Sequence, residues 1–292
     1  MATELTPPPQ RRGLQRGVVV LPSAFTLGNL FLGIWAIVSA SRGQFETAGW
    51  LIVWAAIFDT LDGRIARFTR TGSQFGEQLD SLVDAISFGV APALIVYFLF
   101  FPEGTWSWTI CFFYVSAAII RLARFNVEQA GVAKVSFHGL PSPTAGMTLA
   151  TFYPFTQTAL FQQYLADFRW NLLTPGLILG ISVLMVSHVL YPVVPRFSLS
   201  NRRGRITILI AAVSIVLALT VPAYFFFPAA IVYITYGLVR STVIGFLERM
   251  PDEDPLIDEE QPEEIRELDY EDIERRRPGA PRQPPKSLEE RR

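Results

Sequence analysis

The chain has 292 residues, half of them apolar and only 17% charged, with 23 phenylalanines and a mean hydropathy of +0.32. Soluble domains run near a quarter charged, so this composition disfavours a cytosolic enzyme, a nucleic-acid binder with a broad basic face and a disordered scaffold. The net charge of -1 hides two opposed regions, because residues 1–249 hold 17 Lys and Arg against 11 Asp and Glu, while residues 250–292 hold 8 against 15.

In chain order, residues 1–21 read as a cytoplasmic amino-terminal arm: Pro7-Pro8-Pro9 and Arg11, Arg12 and Arg16 form a polar lead-in to a full-length span rather than a short cleavable segment. Residues 22–249 form the transmembrane domain, an all-α polytopic fold with about eight apolar runs of crossing length. They lie near Pro22–Ala40, Thr47–Ala66, Leu79–Phe101, Trp106–Phe125, Pro143–Tyr164, Leu172–Val193, Ile206–Phe227 and Pro228–Leu247. Only Phe225-Phe226-Phe227-Pro228 separates the last two, which leaves one kinked span as an alternative. Residues 250–292 carry an acidic block from Asp252 to Glu274 and then a Pro/Arg-rich segment, and they read as a disordered cytoplasmic tail. The single cysteine, Cys111, sits in an apolar run and reads as a small buried hydrophobe, so no intrachain disulfide or Cys-based zinc site is available.

Basic residues flanking short loops stay on the cytoplasmic side. Arg11, Arg12, Arg16, Arg64, Arg67, Arg70, Arg121, Arg124, Lys134, Arg196, Arg202, Arg203 and Arg205 fall on one side of this arrangement, and only Arg42 and Arg169 on the other. Both termini, and the ends of the helices that carry the polar motifs, are therefore expected in the cytoplasm.

Four aspartates occur where a membrane helix should lack them: Asp59, Asp62, Asp80 and Asp84. Ionisable groups at membrane depth are costly and point to a functional site. Spacings of three and four put each pair on one face of its own helix, and the short connection from Phe68 to Phe75 makes the two helices antiparallel neighbours. Facing carboxylate pairs need cations, and an all-oxygen set suits the hard divalent metals Mg²⁺ or Mn²⁺. Gly63, Ala66 and Gly76 leave room for a phosphorylated ligand beside them, and Arg67 is placed to neutralise a diphosphate oxygen.

The pattern Asp59-x2-Asp62-Gly63-x2-Ala66-Arg67-x8-Gly76-x3-Asp80-x3-Asp84 resembles the full signature of the CDP-alcohol phosphatidyltransferase family. The resemblance implies a six-helix membrane core, a homodimer, and two metal ions between the second and third helices, the remaining spans being additions. It also implies that Asp59, Asp62, Asp80 and Asp84 ligate metal, that Asp84 at the rim of the cluster acts as the base taking the acceptor's proton, and that Gly63, Ala66, Arg67 and Gly76 line the CDP-diacylglycerol pocket. Pro22, Thr26 and Asn29 look like the family's opening segment and imply further CDP-diacylglycerol contacts. Read from the residues alone, they fit equally well a helix start with two polar residues packed between helices.

The acceptor must be read from the remaining polar segments. RLARFN supplies Arg121, Arg124 and Asn126, and the following FHGLPSP leads into the fifth span. These segments look like those of family members that use L-serine, whose carboxylate an arginine can grip bidentately. Glycerol 3-phosphate or inositol phosphate is the competing acceptor, with Lys134 as an added cation. Arginines at these positions also fit topological anchoring or lipid-phosphate contact. His138 reads as a loop residue with no identifiable partner, and His188, in the sixth span, as an interhelical hydrogen-bonder. A metal- or proton-coupled transporter is the rival from another class, but it would keep its carboxylates near the midplane and repeat them in inverted form.

Overall fold

A computed structural model describes residues 12–69, 74–101, 107–129, 136–192 and 202–247, and the tail expected over 250–292 lies outside them. Helix α1 (Arg12–Ser41) begins within the stretch read as the arm, and a tight turn joins it to α2 (Phe45–Thr69). The third helix runs as α3 (Gln74–Asp84), a π-helical turn (Ala85–Val90) and α4 (Ala91–Phe100), followed by α5 (Ser107–Gln129). After β1 (Ser136–His138) come α6 (Ser142–Thr156), α7 (Ala159–Tyr164), α8 (Trp170–Val186), β2 (Leu190–Pro192), α9 (Arg202–Thr220) and α10 (Pro222–Leu247).

Among the described residues, four helical stretches are long and apolar enough to cross a membrane: Ala24–Ser41, Phe75–Phe100, Trp108–Val127 and Pro222–Val243. Leu172–Val186 and Gly204–Thr220 are shorter apolar helices. The other two expected spans differ for local reasons. α2 carries Asp59, Asp62 and Arg64 in its second half, and α6 stops after 15 residues. Thr158 ends that run by capping α7, its Oγ1 accepting from Phe161 N–H at 3.3 Å. The protein is an integral membrane protein with a helical fold.

Three boundaries depart from the sequence expectation. The last two helices are separate, but they part at Val221, because Pro222 cannot extend α9 and instead opens α10 at its first position. Pro228 is absorbed inside α10. The sixth span is shorter than expected: α8 ends at Val186, and Leu190–Pro192 forms a strand antiparallel to β1, pairing His138 with Leu190 and Ser136 with Pro192. His188 is thus an exposed residue of the α8–β2 link rather than a group between helices.

Lipid tails are as apolar as leucine, so helices in a membrane associate through close packing of small residues. Asn29, Gly33, Ala36 and Ala40 form one stripe of α1, and Ala48, Ile52, Ala55, Asp59 and Asp62 one stripe of α2. The apolar members of both stripes are almost completely buried. The contact that joins α1 to α2 therefore continues directly into the aspartates at one end of the pair.

On the third helix, Asp80, Asp84, Ser87, Ala91 and Ile95 follow one face, with the π-helical turn between Asp84 and Ala91 shifting its register. Such a turn frees backbone carbonyls, and two hydrogen bonds tie it to other helices, one of them at a carbonyl of the turn. Tyr114 Oη of α5 donates to Phe88 O at 2.8 Å, and Ser87 Oγ donates to Asn29 O of α1 at 3.2 Å. Cys111 is buried with its thiol directed at Ala93 O, as a small core residue. At the other end of the bundle Phe152, Phe155, Phe161, Trp170 and Phe227 form one aromatic cluster, which ties α10 to α6, α7 and α8.

Tyr114→Phe would strand a buried carbonyl in the π-helical turn, at a cost of about 1–2 kcal/mol. A lower thermal midpoint in detergent is expected, and an unchanged midpoint would show that the turn does not depend on this bond.

Candidate active site

Asp59 reaches the site from α2, and Asp80 and Asp84 from α3. Each offers a carboxylate oxygen, and the three oxygens lie within 4.8 Å of one another. Asp62 stands beside this triplet, close enough to interact with both Asp59 and Asp80. Helix α1 packs against both α2 and α3, and α2 meets the third helix through the π-helical turn and α4, which brings the four together. Asp84 differs from expectation in its surroundings. It is buried rather than at the rim, because it lies one turn further along α3 than Asp80, against Asn29 and Asp59.

Helix α1 holds two of the carboxylates. Thr26 Oγ1 donates a very short hydrogen bond to Asp62 Oδ2, and Asn29 Nδ2 donates to Asp84 Oδ1 at 3.3 Å. Thr26 and Asn29 are both buried, so their first visible task is to orient aspartates. Asn29 Oδ1 is buried without a hydrogen-bond partner among the described residues, a further hard oxygen beside an already oxygen-rich cluster. An aspartate triplet plus an orphaned amide oxygen is the donor set a divalent cation takes. The Asp59, Asp80 and Asp84 group can therefore hold metal.

Gly63 is exposed, and a Cβ there would meet nothing within 4 Å, so the groove beside Asp62 is open. Gly76 is partly buried in the first turn of α3. Ala66 and Arg67 lie in the last turn of α2, but their side chains are outside the described residues, as is Lys134.

The two arginines of RLARFN divide into different situations. Arg121 is buried, donates to Ser142 Oγ at 2.6 Å, lies 5.2 Å over the Phe125 ring and interacts with Asp59 and Asp84. It is built into the site wall. Arg124, one turn on, has its Nε and Nη1 atoms buried with no hydrogen-bond partner among the described residues. Asn126 Oδ1 accepts from Ser81 Oγ at 3.0 Å, which pins this end of α5 to α3 between Asp80 and Asp84.

The GLPSP segment serves the same wall. Gly139 adopts φ +78°, and its N–H donates to Val189 O at 2.9 Å, while Leu140 N–H donates to Leu184 O at 3.0 Å. The loop is clamped to the end of α8, which presents Ser142 to Arg121. Sequence reading took this motif as an acceptor signal and missed its bracing role. It also missed Ser81, Ser142 and Ser87, because isolated serines carry no spacing signal until the helices are packed.

A helical membrane domain with acidic groups gathered at one end, a metal-competent carboxylate cluster and arginines beside it is suited to holding metal and anionic groups. Residues 19–186, which run from α1 to the end of α8, match the family model described as CDP-alcohol phosphatidyltransferase. The chain belongs to the CDP-alcohol phosphatidyltransferase family, and it is a phosphatidyltransferase. It is 38% identical over 174 residues to a CDP-diacylglycerol–serine O-phosphatidyltransferase of Helicobacter pylori, covering 59% of this chain and 72% of the relative. A protein of the same description from Methanocaldococcus jannaschii is 32% identical over 225 residues, 77% of this chain and 96% of the relative. An archaetidylserine synthase of Methanothermobacter thermautotrophicus is 34% identical over 187 residues, 60% and 70% of the two chains.

Asp80→Asn removes one of the three clustered carboxylates while preserving shape. It is expected to abolish turnover in a CMP-release assay with the protein still inserted in the membrane fraction; loss of insertion would instead mark Asp80 as a folding residue.

Proposed function

We propose that this protein makes phosphatidylserine by transferring the phosphatidyl group of CDP-diacylglycerol to the hydroxyl of L-serine, with release of CMP. The observation that carries an anionic acceptor is Arg124, whose buried Nε and Nη1 have no hydrogen-bond partner among the described residues. A buried guanidinium without partners is costly, and an anionic group such as the serine carboxylate supplies the charge-assisted hydrogen bonds it lacks. The names of the Helicobacter and Methanocaldococcus relatives support the same acceptor.

Asp59, Asp62, Asp80 and Asp84 would hold two divalent cations, Mg²⁺ or Mn²⁺, which supply the positive charge that offsets the diphosphate and the departing CMP. Thr26 and Asn29 fix the orientation of Asp62 and Asp84. Gly63, Ala66, Arg67 and Gly76 line the CDP-diacylglycerol groove, where the open space at Gly63 leaves room for the substrate. Arg124 and, behind it, Arg121 and Asn126 orient serine. Asp84 takes the proton of the serine hydroxyl as its oxygen bonds to the phosphorus nearer diacylglycerol. The bond from that phosphorus to the bridging oxygen of CMP breaks, and CMP leaves with the electron pair.

In this reading the enzyme is a homodimer of the cell membrane, with an arm over residues 1–21, the catalytic domain over 22–249 and an acidic tail over 250–292. Both termini and the site face the cytoplasm, which the uneven distribution of arginines along the chain supports.

The test is CMP release from CDP-diacylglycerol with L-serine, glycerol 3-phosphate, inositol 1-phosphate or no acceptor. Serine-dependent release that EDTA stops is expected, and release with another acceptor alone would overturn the assignment. Arg124→Ala is expected to raise the serine KM by about tenfold or more, with little change for the lipid. An effect confined to the lipid KM would contradict its role.

A further inference from the structure

The carboxylates of α3 and the arginines of α5 stand on different helices, and one hydrogen bond joins those helices beside the site. On α3 the pair Asp80 and Asp84 belongs to the cluster, Leu82 is exposed on the far side, and Ser81, about 100° round the helix from Asp80, lies between these two faces. Ser81 Oγ is 3.0 Å from Asn126 Oδ1 of α5 and 3.1 Å from Glu77 O, the carbonyl one turn back. Its single proton is shared between these two acceptors, which holds the hydroxyl in one rotamer. Elsewhere α5 meets the third helix at the π-helical turn and α4, where Tyr114 donates to Phe88 O. The Tyr114 and Ser81 bonds therefore bracket the stretch that carries Asp84 on one helix and Arg121 and Arg124 on the other. Arg124 and Asn126 fall near the end of α5, where a helix frays because its last carbonyls lack intrahelical donors. Only about 3 Å of axial rise separates the two residues, so a tie at Asn126 also steadies Arg124.

We propose that Ser81 is a positioning residue: through Asn126 it holds the end of α5, so that the Arg124 guanidinium keeps a fixed place relative to Asp80 and Asp84. A displacement of about 1 Å between groups that must act together is enough to slow a reaction, and a fraying helix end allows that much. Ser81 sits between the two aspartates in sequence, so the bond references the arginine to the same helix that carries them. The inference rests on reading Arg124 as an acceptor-binding group, but not on which acceptor binds there.

The test uses full-length enzyme in detergent and whichever acceptor sustains CMP release in the wild type. A failure of the Arg124 reading shows in Arg124→Ala, and a failure of this one in Ser81→Ala, so the two stay separate. Ser81→Ala removes the hydroxyl and keeps a good helix former; it is expected to raise the acceptor KM by about fivefold, the equivalent of one hydrogen bond, with the CDP-diacylglycerol KM unchanged. Ser81→Thr restores the hydroxyl and is expected to keep the wild-type acceptor KM. Adding Ser81→Ala to Asn126→Ala is expected to cause no further rise, because both changes break the same bond. A wild-type acceptor KM in Ser81→Ala would overturn the proposal, as would an alanine-like rise in Ser81→Thr. So would an equal rise with and without Asn126, or equal changes in both KM values together with a lower thermal midpoint, the signature of a purely structural contact.

Discussion

Three carboxylates with oxygens within 4.8 Å of one another set the conditions that the rest of this structure meets. At an effective dielectric constant near 20, each pair of like charges at that separation repels by roughly 3–4 kcal/mol, more than an ordinary hydrogen bond contributes. Arg121 alone does not balance the cluster, since it brings one positive charge to three carboxylates. The remaining charge calls for cations, and hard oxygen donors on two helices are the arrangement that divalent metals accept. The same packing of α1, α2 and the third helix that makes the cluster costly makes it able to hold metal.

The residues that α1 brings to the cluster, Thr26 and Asn29, are uncharged, yet they support the site. The packing stripe of Gly33, Ala36 and Ala40 brings α1 close to α2 and to the π-helical turn, which lets Thr26 and Asn29 reach Asp62 and Asp84. Asn29 also accepts, through its backbone carbonyl, from Ser87 in that turn. One residue thereby fixes both a carboxylate and the distorted segment that follows it. A π-helical turn is a costly way to continue a helix, and three neighbours share its stabilisation: Tyr114 from α5, Asn29 from α1 and the close approach of Gly146 on α6.

Much of this was legible in the sequence, and the unread part has definable causes. The aspartates were visible because charge in an apolar run is rare and because spacings of three and four fix a helix face; their convergence followed from a short connection. Helical spans were readable from apolar length, but their ends were not. Pro222 and Pro228 look alike in sequence, and only packing decides that the first opens a helix and the second rides inside it. The β1–β2 pair was invisible because three-residue strands carry no periodicity. The arginines of RLARFN were equivalent on paper. Folding separates them, since Ser142 arrives from another helix to occupy Arg121, while Nε and Nη1 of Arg124 have no hydrogen-bond partner among the described residues. The stack of Tyr191 on Tyr233 had no motif at all, because it joins residues far apart in the chain.

The most direct measurement is the thermal midpoint of the purified protein as Mn²⁺ is titrated in and then withdrawn with EDTA, in the wild type and in an Asp59→Asn/Asp84→Asn double variant. If the clustered carboxylates are a metal site that the folded state must fill, the wild-type midpoint rises saturably with Mn²⁺ and falls again with EDTA, and the double variant shows neither change. Identical wild-type midpoints at saturating Mn²⁺ and in EDTA would contradict it.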